Sequence, residues 1–341
     1  MKSSQLLSLV ILLFISGICR AASADTTGMF KNPLLASGPD PWVVRHNGMY
    51  YYMHTTGHNL VMRKTKNMSA LAQSTETVIW RPPAKGPNAR DIWAPELHRL
   101  NGKWYVYYTA GSSDSIHPQH TFVLENTAED PTTGSWTDKG QITDPAHPEH
   151  FAIDGTLFQH KGNNYFIWSG HNGKDAVQRL YIARMKDPWT LASSKVEIAA
   201  PQYPWEQNGI NEGPEILRNA KGEVFLVFSA CGCWTENYIL GIMKLKTGAD
   251  PLLPASWTKS PEPVLQSKPE NGAYAPGHNG FFKSPDGKED WIIYHANSKA
   301  GQGCGNLRNP RIQKITWNAD GTPFFGEPVK INTWITNPAG E

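Results

Sequence analysis

Three acidic residues and one histidine stand at similar distances ahead of glycine-containing turns in this sequence. Asp40 and Asp154 each precede a turn glycine by 8 residues, Glu212 by 10 and His278 by 9; a fifth such position holds Ala94. Carboxylates that are buried together raise one another's pKa, so a fold keeps such a cluster chiefly where chemistry needs it. Carboxyl groups with separated pKa values suit glycoside hydrolysis, in which one acid protonates the leaving oxygen and an ionised partner activates water or attacks.

Sequence motifs of other reaction classes are absent. The chain has no GxSxG nucleophile elbow, no HExxH zinc motif, no phosphate-binding loop and no dinucleotide-binding glycine fingerprint between a strand and a helix. The spaced carboxylates are therefore the main indication of chemistry.

The turns themselves identify an internal repeat. The turn glycines are Gly48, Gly102, Gly162, Gly222 and Gly287. Successive glycines are 54, 60, 60 and 65 residues apart. Each turn precedes an aromatic, β-branched segment, which is typical of a β-hairpin. Five matching hairpins predict an all-β fold, a five-bladed β-propeller closed on itself without exposed sheet edges. A β-sandwich or tandem domains would also contain hairpins, but neither requires this even spacing.

The first strand of each propeller blade lines the central channel, and the acidic residues lie on the segments that enter the hairpins. We therefore expect Asp40, Asp154 and Glu212 to converge with His278 at one end of the channel. The neighbouring Pro and Gly residues interrupt the regular ladder and help to aim these side chains into the opening.

The 341-residue chain has the composition of a folded protein, with 39% hydrophobic and 11% aromatic residues. Lys2, the apolar run 6–18 and a small-residue stretch at 22–24 predict a signal peptide over residues 1–24. We expect one catalytic domain over 25–341, secreted to the extracellular space or the periplasm. A lipid-anchored Cys19 is the alternative, but the bulky Ile18 before it is unusual for a lipoprotein signal. The run is too short to span a bilayer, and no later stretch suggests a membrane segment.

The charge and the cysteines restrict the possible partners further. Without Lys2 and Arg20 the mature chain would carry 30 basic and 30 acidic residues, a balance that disfavours nucleic acid as a partner. We expect a monomer. Three cysteines remain, and in an oxidising compartment Cys304 is expected to pair with Cys231 or Cys233. A metal site is the weaker alternative, because no second CxxC motif is present.

Three segments of the chain resemble the catalytic segments of family 43 glycoside hydrolases, in the family's order. They are Gly38-Pro39-Asp40-Pro41-Trp42, Ile153-Asp154-Gly155 and Glu212-Gly213-Pro214-Glu215. The likeness extends from about residue 32 to about residue 330. It implies a five-bladed propeller and an inverting mechanism, and the fold agrees with the repeat count obtained independently.

The resemblance also implies roles for individual residues. Asp40 would be the general base, Glu212 the general acid, and Asp154 the residue that raises the pKa of the acid and orients it. His278 would help to hold a hydrated calcium or another small ion, with a buried hydrogen-bonded histidine as the alternative; no further cofactor is expected. Glu96 and Glu215 are interpreted as supporting polar groups.

Several further residues are candidates for contacts with a sugar. Arg308 would reach sugar hydroxyls, as similar arginines do in the family, or else form a surface ion pair. Four aromatic residues close to the axial positions would offer apolar faces to a sugar ring, although each could equally belong to the core: Trp42, Trp93, Phe151 and Tyr274.

The substrate is inferred from the resemblance alone. Family 43 enzymes act on α-L-arabinofuranosides or β-D-xylosides, and the short single-domain form resembles exo-acting arabinanases and arabinofuranosidases. We therefore expect removal of terminal α-L-arabinofuranose from arabinan or arabinoxylan. The alternatives are a β-D-xylosidase or endo-arabinanase of the same family, a retaining fructan hydrolase, a non-catalytic sugar-binding propeller, and a protein-interaction propeller.

Overall fold

The computed structural model describes residues 26–115 and 118–341, so the predicted signal peptide lies outside the described residues. The described chain forms 23 β-strands and four short 3₁₀ helices, which span Met68–Gln73, Gln207–Gly209, Pro254–Ser256 and Pro269–Asn271. None of the helices in this part of the chain has the length and hydropathy needed to cross a bilayer.

Five antiparallel sheets follow one another along the chain, and each forms one blade. Blade 1 contains β2 (Trp42–His46), β3 (Met49–Met53), β4 (Leu60–Thr65) and β5 (Glu76–Trp80). Blade 2 contains β6 (Arg90–Leu100), β7 (Lys103–Gly111), β8 (His120–Asn126) and β9 (Thr137–Gln141). Blade 3 contains β10 (Ala152–His160), β11 (Asn163–Gly170), β12 (Arg179–Asp187), β13 (Thr190–Leu191) and β14 (Val196–Ala199). Blade 4 contains β15 (Asn211–Arg218), β16 (Val224–Ala230), β17 (Ile239–Leu245) and β18 (Trp257–Lys259). Blade 5 contains β19 (Tyr274–Lys283), β20 (Asp290–Asn297), β21 (Asn309–Trp317) and β22 (Pro323–Phe324).

The five predicted turns join the first two strands of each blade. In the first turn Asn47 and Gly48 both have positive φ, 48° and 76°, as a two-residue hairpin turn matched to the strand twist requires. Asparagine and glycine adopt this left-handed conformation more readily than other residues. The hairpin repeat is therefore confirmed.

Five hydrophobic clusters fill the spaces between neighbouring blades. Tyr51 of blade 1 packs with Trp104 of blade 2, and corresponding clusters lie between blades 2 and 3, 3 and 4, and 4 and 5. The fifth cluster contains Val43 of blade 1 and Trp291 of blade 5. Because the last blade packs against the first, the sheets form a closed ring, and the predicted five-bladed β-propeller is confirmed.

The segment before blade 1 reinforces this closure. Strand β1 (Met29–Lys31) pairs with β23 (Trp334–Thr336), which follows blade 5. Next to β1, the fully buried Asn32 accepts a hydrogen bond from the Ile312 N–H at 3.0 Å and donates one to the Ile312 carbonyl at 2.8 Å. One side chain thus ties the start of the propeller to the third strand of its last blade.

A disulfide bond joins blades 4 and 5. It links Cys233, in the loop between β16 and β17, to Cys304, in the loop between β20 and β21. Of the two partners predicted for Cys304, the second is therefore correct, and Cys231 is a buried free thiol.

Replacing Asn32 by Ala tests the closure. The change leaves both the N–H and the carbonyl of Ile312 without their buried partner, so we expect a loss of about 2–4 kcal/mol in the free energy of unfolding. Asn318→Ala is the matched control, because Asn318 is exposed in the turn after β21 and should change stability by less than about 0.5 kcal/mol. Equal denaturation midpoints for the two variants would show that Asn32 does not stabilise the closed ring.

Candidate active site

Each blade has a residue of left-handed backbone conformation at an equivalent place on or next to its first strand, and blades 2 and 5 have a second one, Asp91 and Ala275, three residues earlier. The φ values are 51°, 42°, 54°, 54° and 48° for Asp40, Ala94, Asp154, Gly213 and His278. In blades 2 to 5 these residues lie within a register shift of the first hairpin, and such bulges re-aim side chains. The expectation that Glu212 is the equivalent residue of blade 4 is one position off. Gly213 takes that place, and Glu212 precedes it.

A ring of side chains from the neighbouring blades holds these bulges in place. In four interfaces the backbone N–H of the left-handed residue donates to a polar side chain near the end of the preceding blade's second strand: Ala94 to Thr55 Oγ1, Asp154 to Thr109 Oγ1, His278 to Ser229 Oγ and Asp40 to His295 Nδ1, at 2.7 to 3.2 Å. In the interface between blades 3 and 4, Ser169 donates instead to the Asn211 carbonyl. The Gly213 N–H is then left for the Asp154 carboxylate, which it contacts at 3.2 Å.

Asp40 is surrounded by polar groups from blades 1 and 5. Its Oδ1 accepts a hydrogen bond from Arg308 Nη1 at 2.8 Å and its Oδ2 one from Thr55 Oγ1 at 2.6 Å. The Nδ1 atoms of His278 and His295 lie 3.3 and 3.4 Å from Oδ1. Burial alone would raise the pKa of Asp40, but the positive charge of Arg308 and the other neighbours outweigh it and hold this pKa well below its ordinary value. Asp40 is therefore ionised across the neutral pH range.

Both histidines beside Asp40 are buried, and burial lowers the pKa of each imidazole below its ordinary value. The two rings are consequently neutral near pH 7. Arg308, which is only 8% exposed, thus supplies the positive charge that faces the Asp40 carboxylate.

Glu212 is held by a tyrosine that also reaches the Asp40 side of the site. Tyr238 Oη donates to Glu212 Oε1 at 2.8 Å, and its ring stacks on His295 with the planes 5° apart. The ring also lies against Gly277, where a Cβ would come within 2.2 Å of it, so only glycine allows this approach. Glu212 is partly exposed to the channel, whereas Asp40 and Asp154 are 7% and 6% exposed.

The carboxyl groups of Asp154 and Glu212 behave differently from that of Asp40. Burial and the charges of Glu212 and Asp40 raise the pKa of Asp154 well above its ordinary value. Burial and Asp40 also raise the pKa of Glu212 to about 7, although the hydrogen bond from Tyr238 opposes the change. The two groups titrate as a coupled pair that is still protonated in mildly acidic solution. The channel end that contains Asp40, Asp154 and Glu212, which we call the hollow, therefore combines an ionised base with a carboxylic acid. Asp40 is the base, and the acid can donate a proton.

A second pair of carboxyl groups lies two residues further along the inner strands. Glu96 and Thr156 both hydrogen-bond with Glu215, and Glu96 Oε2 lies 2.8 Å from His98 Nε2. Burial and the charge of Glu96 raise the pKa of Glu215 well above its ordinary value. These groups form a layer beneath Asp154 and fit the supporting role expected of them.

The structure places two of the remaining candidates against Asp40 and one elsewhere. Arg308 and His278 both contact the Asp40 carboxylate, so Arg308 is not a surface ion pair. Trp42 instead lies in the second layer, because its indole Nε1 donates to the Leu97 carbonyl and its ring packs 4.8 Å from His98. It lines a cavity of about 260 Å³ that includes Glu215.

The other three aromatic candidates are partly buried near the inner strands. Trp93 directly precedes Ala94, Tyr274 begins β19, and Phe151 stacks on His171 with ring centroids 4.6 Å apart. Among the described residues, no hydrogen bond or ring contact joins these three aromatic side chains to Asp40, Asp154 or Glu212. Their predicted contact with a sugar remains a prediction.

Three important residues of the site were not identified from the sequence. They are Thr55, Tyr238 and His295. Thr55 lies seven residues after its turn glycine and His295 eight, so the hairpin repeat carried a signal for both. Tyr238 directly precedes the third strand of blade 4, the place that Arg308 holds in blade 5, but the predicted spacing concerned only the residues ahead of the turns and so did not include it.

Comparison with known proteins agrees with the glycoside hydrolase chemistry that the site supports. The family model of glycosyl hydrolases family 43 matches residues 30–323. A protein of Streptomyces avermitilis named extracellular exo-α-(1→5)-L-arabinofuranosidase is 41% identical over 90% of this chain and 65% of its own length. A protein of the same name from Streptomyces chartreusis is 36% identical over 83% of this chain and 86% of its own. The chain thus spans less than two thirds of the first relative.

The fold has counterparts among solved structures. The crystal structure of an α-L-arabinofuranosidase from Lactobacillus brevis aligns with a TM-score of 0.82 and 34% identity. The alignment covers 89% of this chain and 98% of that one. The likeness therefore extends over nearly the whole propeller.

The shared proton makes the stability of the protein depend on pH. The folded protein keeps a proton on Glu212 up to about pH 7, whereas the ordinary pKa of 4.5 applies after unfolding. The folded state binds more protons in this window, so stability falls as the pH rises from about 4.5 to about 7. Glu212→Gln removes this loss, and from pH 4 to pH 8 the variant should gain about 2–3 kcal/mol in the free energy of unfolding relative to wild type.

Denaturant unfolding at several pH values measures the effect. Glu262→Gln, at an exposed position outside the site, is the control and should follow the wild-type curve. A Glu212→Gln variant with the wild-type pH dependence would contradict a raised pKa at Glu212.

Proposed function

The chain belongs to glycosyl hydrolases family 43, and on that premise we propose that it is a secreted, inverting α-L-arabinofuranosidase. It removes terminal α-L-arabinofuranose from arabinan or from arabinose-substituted polysaccharides, with residues 25–341 as one catalytic domain. The observation that carries the proposal is the opposite shift of two pKa values in one hollow: that of Asp40 downward and that of Glu212 upward. A hydrolase that inverts the anomeric carbon needs one ionised base and one protonated acid.

In the proposed reaction Asp40 takes a proton from a water molecule as the water oxygen bonds to the anomeric carbon. The glycosidic carbon–oxygen bond breaks, and the leaving oxygen takes its proton from Glu212. Asp154, which accepts a hydrogen bond from the Gly213 N–H, orients Glu212, whose proton is kept by burial and by the charge of Asp40. Arg308 keeps Asp40 ionised and is close enough to the hollow to bind a sugar hydroxyl.

We also propose that His278 holds a small hydrated cation beneath the carboxylates. The residues fit such an ion: the imidazole is neutral, Nδ1 faces Asp40, and the described residues offer Nε2 no hydrogen-bond partner. The acidic side chains of Glu96 and Glu215 in the next layer would bind its water ligands, as suits an oxygen-preferring ion such as calcium. The cation would supply positive charge that favours ionised carboxylates; no proton transfer passes through it.

The choice of sugar and of exo action rests on relatives. The two Streptomyces proteins are named exo-α-(1→5)-L-arabinofuranosidases, and both names include the word extracellular. The predicted signal peptide over residues 1–24 agrees with secretion, and we propose that the enzyme acts on plant cell-wall polysaccharide as a monomer.

Product analysis on linear arabinan, arabinoxylan and xylan tests the activity. We expect arabinose as the only product from linear arabinan, released first as the inverted anomer, which proton NMR detects. Glu212→Gln should lower kcat by about 10²–10⁴-fold because no other group donates to the leaving oxygen. Glu262→Gln should retain wild-type kcat.

Each of the other possible results would indicate a different activity. Arabino-oligosaccharides as first products would show endo action, and xylose would show a β-D-xylosidase. Retention of the anomeric configuration would contradict Asp40 as a base that acts through water. Binding without turnover would indicate a non-catalytic propeller.

The pH dependence of kcat/KM tests the two roles separately. The active form needs Asp40 ionised and Glu212 protonated, so activity should stay level in mildly acidic solution and fall as the pH rises through about 7. Tyr238→Phe removes a hydrogen bond that lowers the pKa of Glu212, so the falling limb should move to higher pH. If the fall in kcat/KM at high pH stays in place or moves to lower pH in this variant, Glu212 is not the group whose deprotonation causes that fall.

A further inference from the structure

Two loops stand beside the proposed catalytic acids at the mouth of the channel. Residues 231–238 join β16 to β17, and residues 298–308 join β20 to β21. The first loop ends at Tyr238, which contacts Glu212, and the second ends at Arg308, which contacts Asp40. Both loops therefore border the hollow.

The two loops are fixed to each other. The disulfide Cys233–Cys304 brings their Cα atoms to 5.0 Å, and the Gly301 N–H donates to Glu236 Oε1 at 2.7 Å. The Arg308 N–H and guanidinium both donate to the Gly305 carbonyl. The loops thus form one rigid wall, which we call the stapled wall (residues 231–238 and 298–308).

The stapled wall presents large apolar side chains to solvent. Trp234 is 61% exposed and Leu307, on the other loop, is 55% exposed. The indole lies directly on Gly232, where an added Cβ would come within 2.6 Å of three atoms of its six-membered ring. One face of Trp234 is therefore covered by backbone, and the rest of the ring is open to solvent in a fixed orientation. Exposed apolar surface next to a site commonly marks a binding surface.

The position of Trp234 indicates which part of a substrate would meet it. Trp234 lies four residues before Tyr238, the partner of the proposed general acid, so the two Cα atoms are at most about 14 Å apart. The general acid lies on the leaving-group side of the bond that is cleaved. The Trp234 loop is consequently on the side where the rest of a polymer would lie.

We propose that Trp234 forms a stacking subsite for a sugar residue of the polysaccharide on the leaving-group side of the cleaved bond. The apolar C–H face of a furanose ring packs on the open face of the indole. The proposal rests on the proposed function and adds to it a preference for a continuing arabinan chain over a short leaving group. The disulfide and Gly232 keep the platform in place before the substrate arrives.

Kinetics on two substrates test the subsite. Methyl α-L-arabinofuranoside has a leaving group too small to reach Trp234, whereas linear arabinotriose continues past the cleaved bond. Trp234→Ala should lower kcat/KM for arabinotriose about 3- to 10-fold, mainly through KM, and leave the methyl glycoside unchanged. Trp234→Phe should restore most of the loss. Phe324→Ala, at an exposed aromatic of β22, is the control and should change neither.

The outcomes separate this proposal from the proposed function. Equal losses on both substrates would assign Trp234 to holding the loops, and no loss on either would show that no sugar binds there; both results overturn the subsite. If the wild type cleaves neither arabinoside, the proposed function fails. Affinity electrophoresis of wild type and Trp234→Ala in gels containing debranched arabinan or arabinoxylan then decides the subsite, and equal mobility of the two proteins in both gels overturns it.

Discussion

The contact between Arg308 and Asp40 sets the protonation pattern of the whole hollow. A carboxyl group as buried as Asp40 would on its own take up a proton, and the two imidazoles beside it are neutral. With the guanidinium at 2.8 Å, Asp40 remains ionised, and its negative charge in turn favours protonation of Asp154 and Glu212. One buried ion pair thereby separates a base from an acid in the same small space.

That ion pair exists only because the ring closes. Asp40 lies just before blade 1, whereas His278, His295 and Arg308 come from blade 5, between 238 and 268 residues later in the chain. The segment from β1 to Asp40 runs beside β21, where Asn32 binds Ile312 and the Gly38 N–H donates to the Arg308 carbonyl. The seam that closes the propeller is thus also the place where the base is assembled.

Spacing predicted the parts of this arrangement that repeat from blade to blade. The hairpins, the closed fold and the convergence of Asp40 and Asp154 all follow from a pattern that recurs with each turn. The spacing put Glu212 at the left-handed position of blade 4, which Gly213 in fact occupies. The error is one residue and arises because the number of residues between this position and the turn glycine is larger in blade 4 than in blade 1, 2 or 3. Tyr238 was missed because it directly precedes the third strand of its blade, as Arg308 does in blade 5, whereas the spacing concerned only the first strands. Trp42 follows Asp40 by two residues and lies one step further along the channel, beside Glu215, and its contact with a sugar remains a prediction.

The central claim is that Asp40 is ionised while the Glu212–Asp154 pair carries a proton. Neutron diffraction from deuterated crystals at about pH 6 locates that proton directly. The account predicts deuterium on one carboxyl oxygen of the Glu212–Asp154 pair and none on Asp40. Deuterium on Asp40, or bare carboxylates at both Glu212 and Asp154, would contradict it.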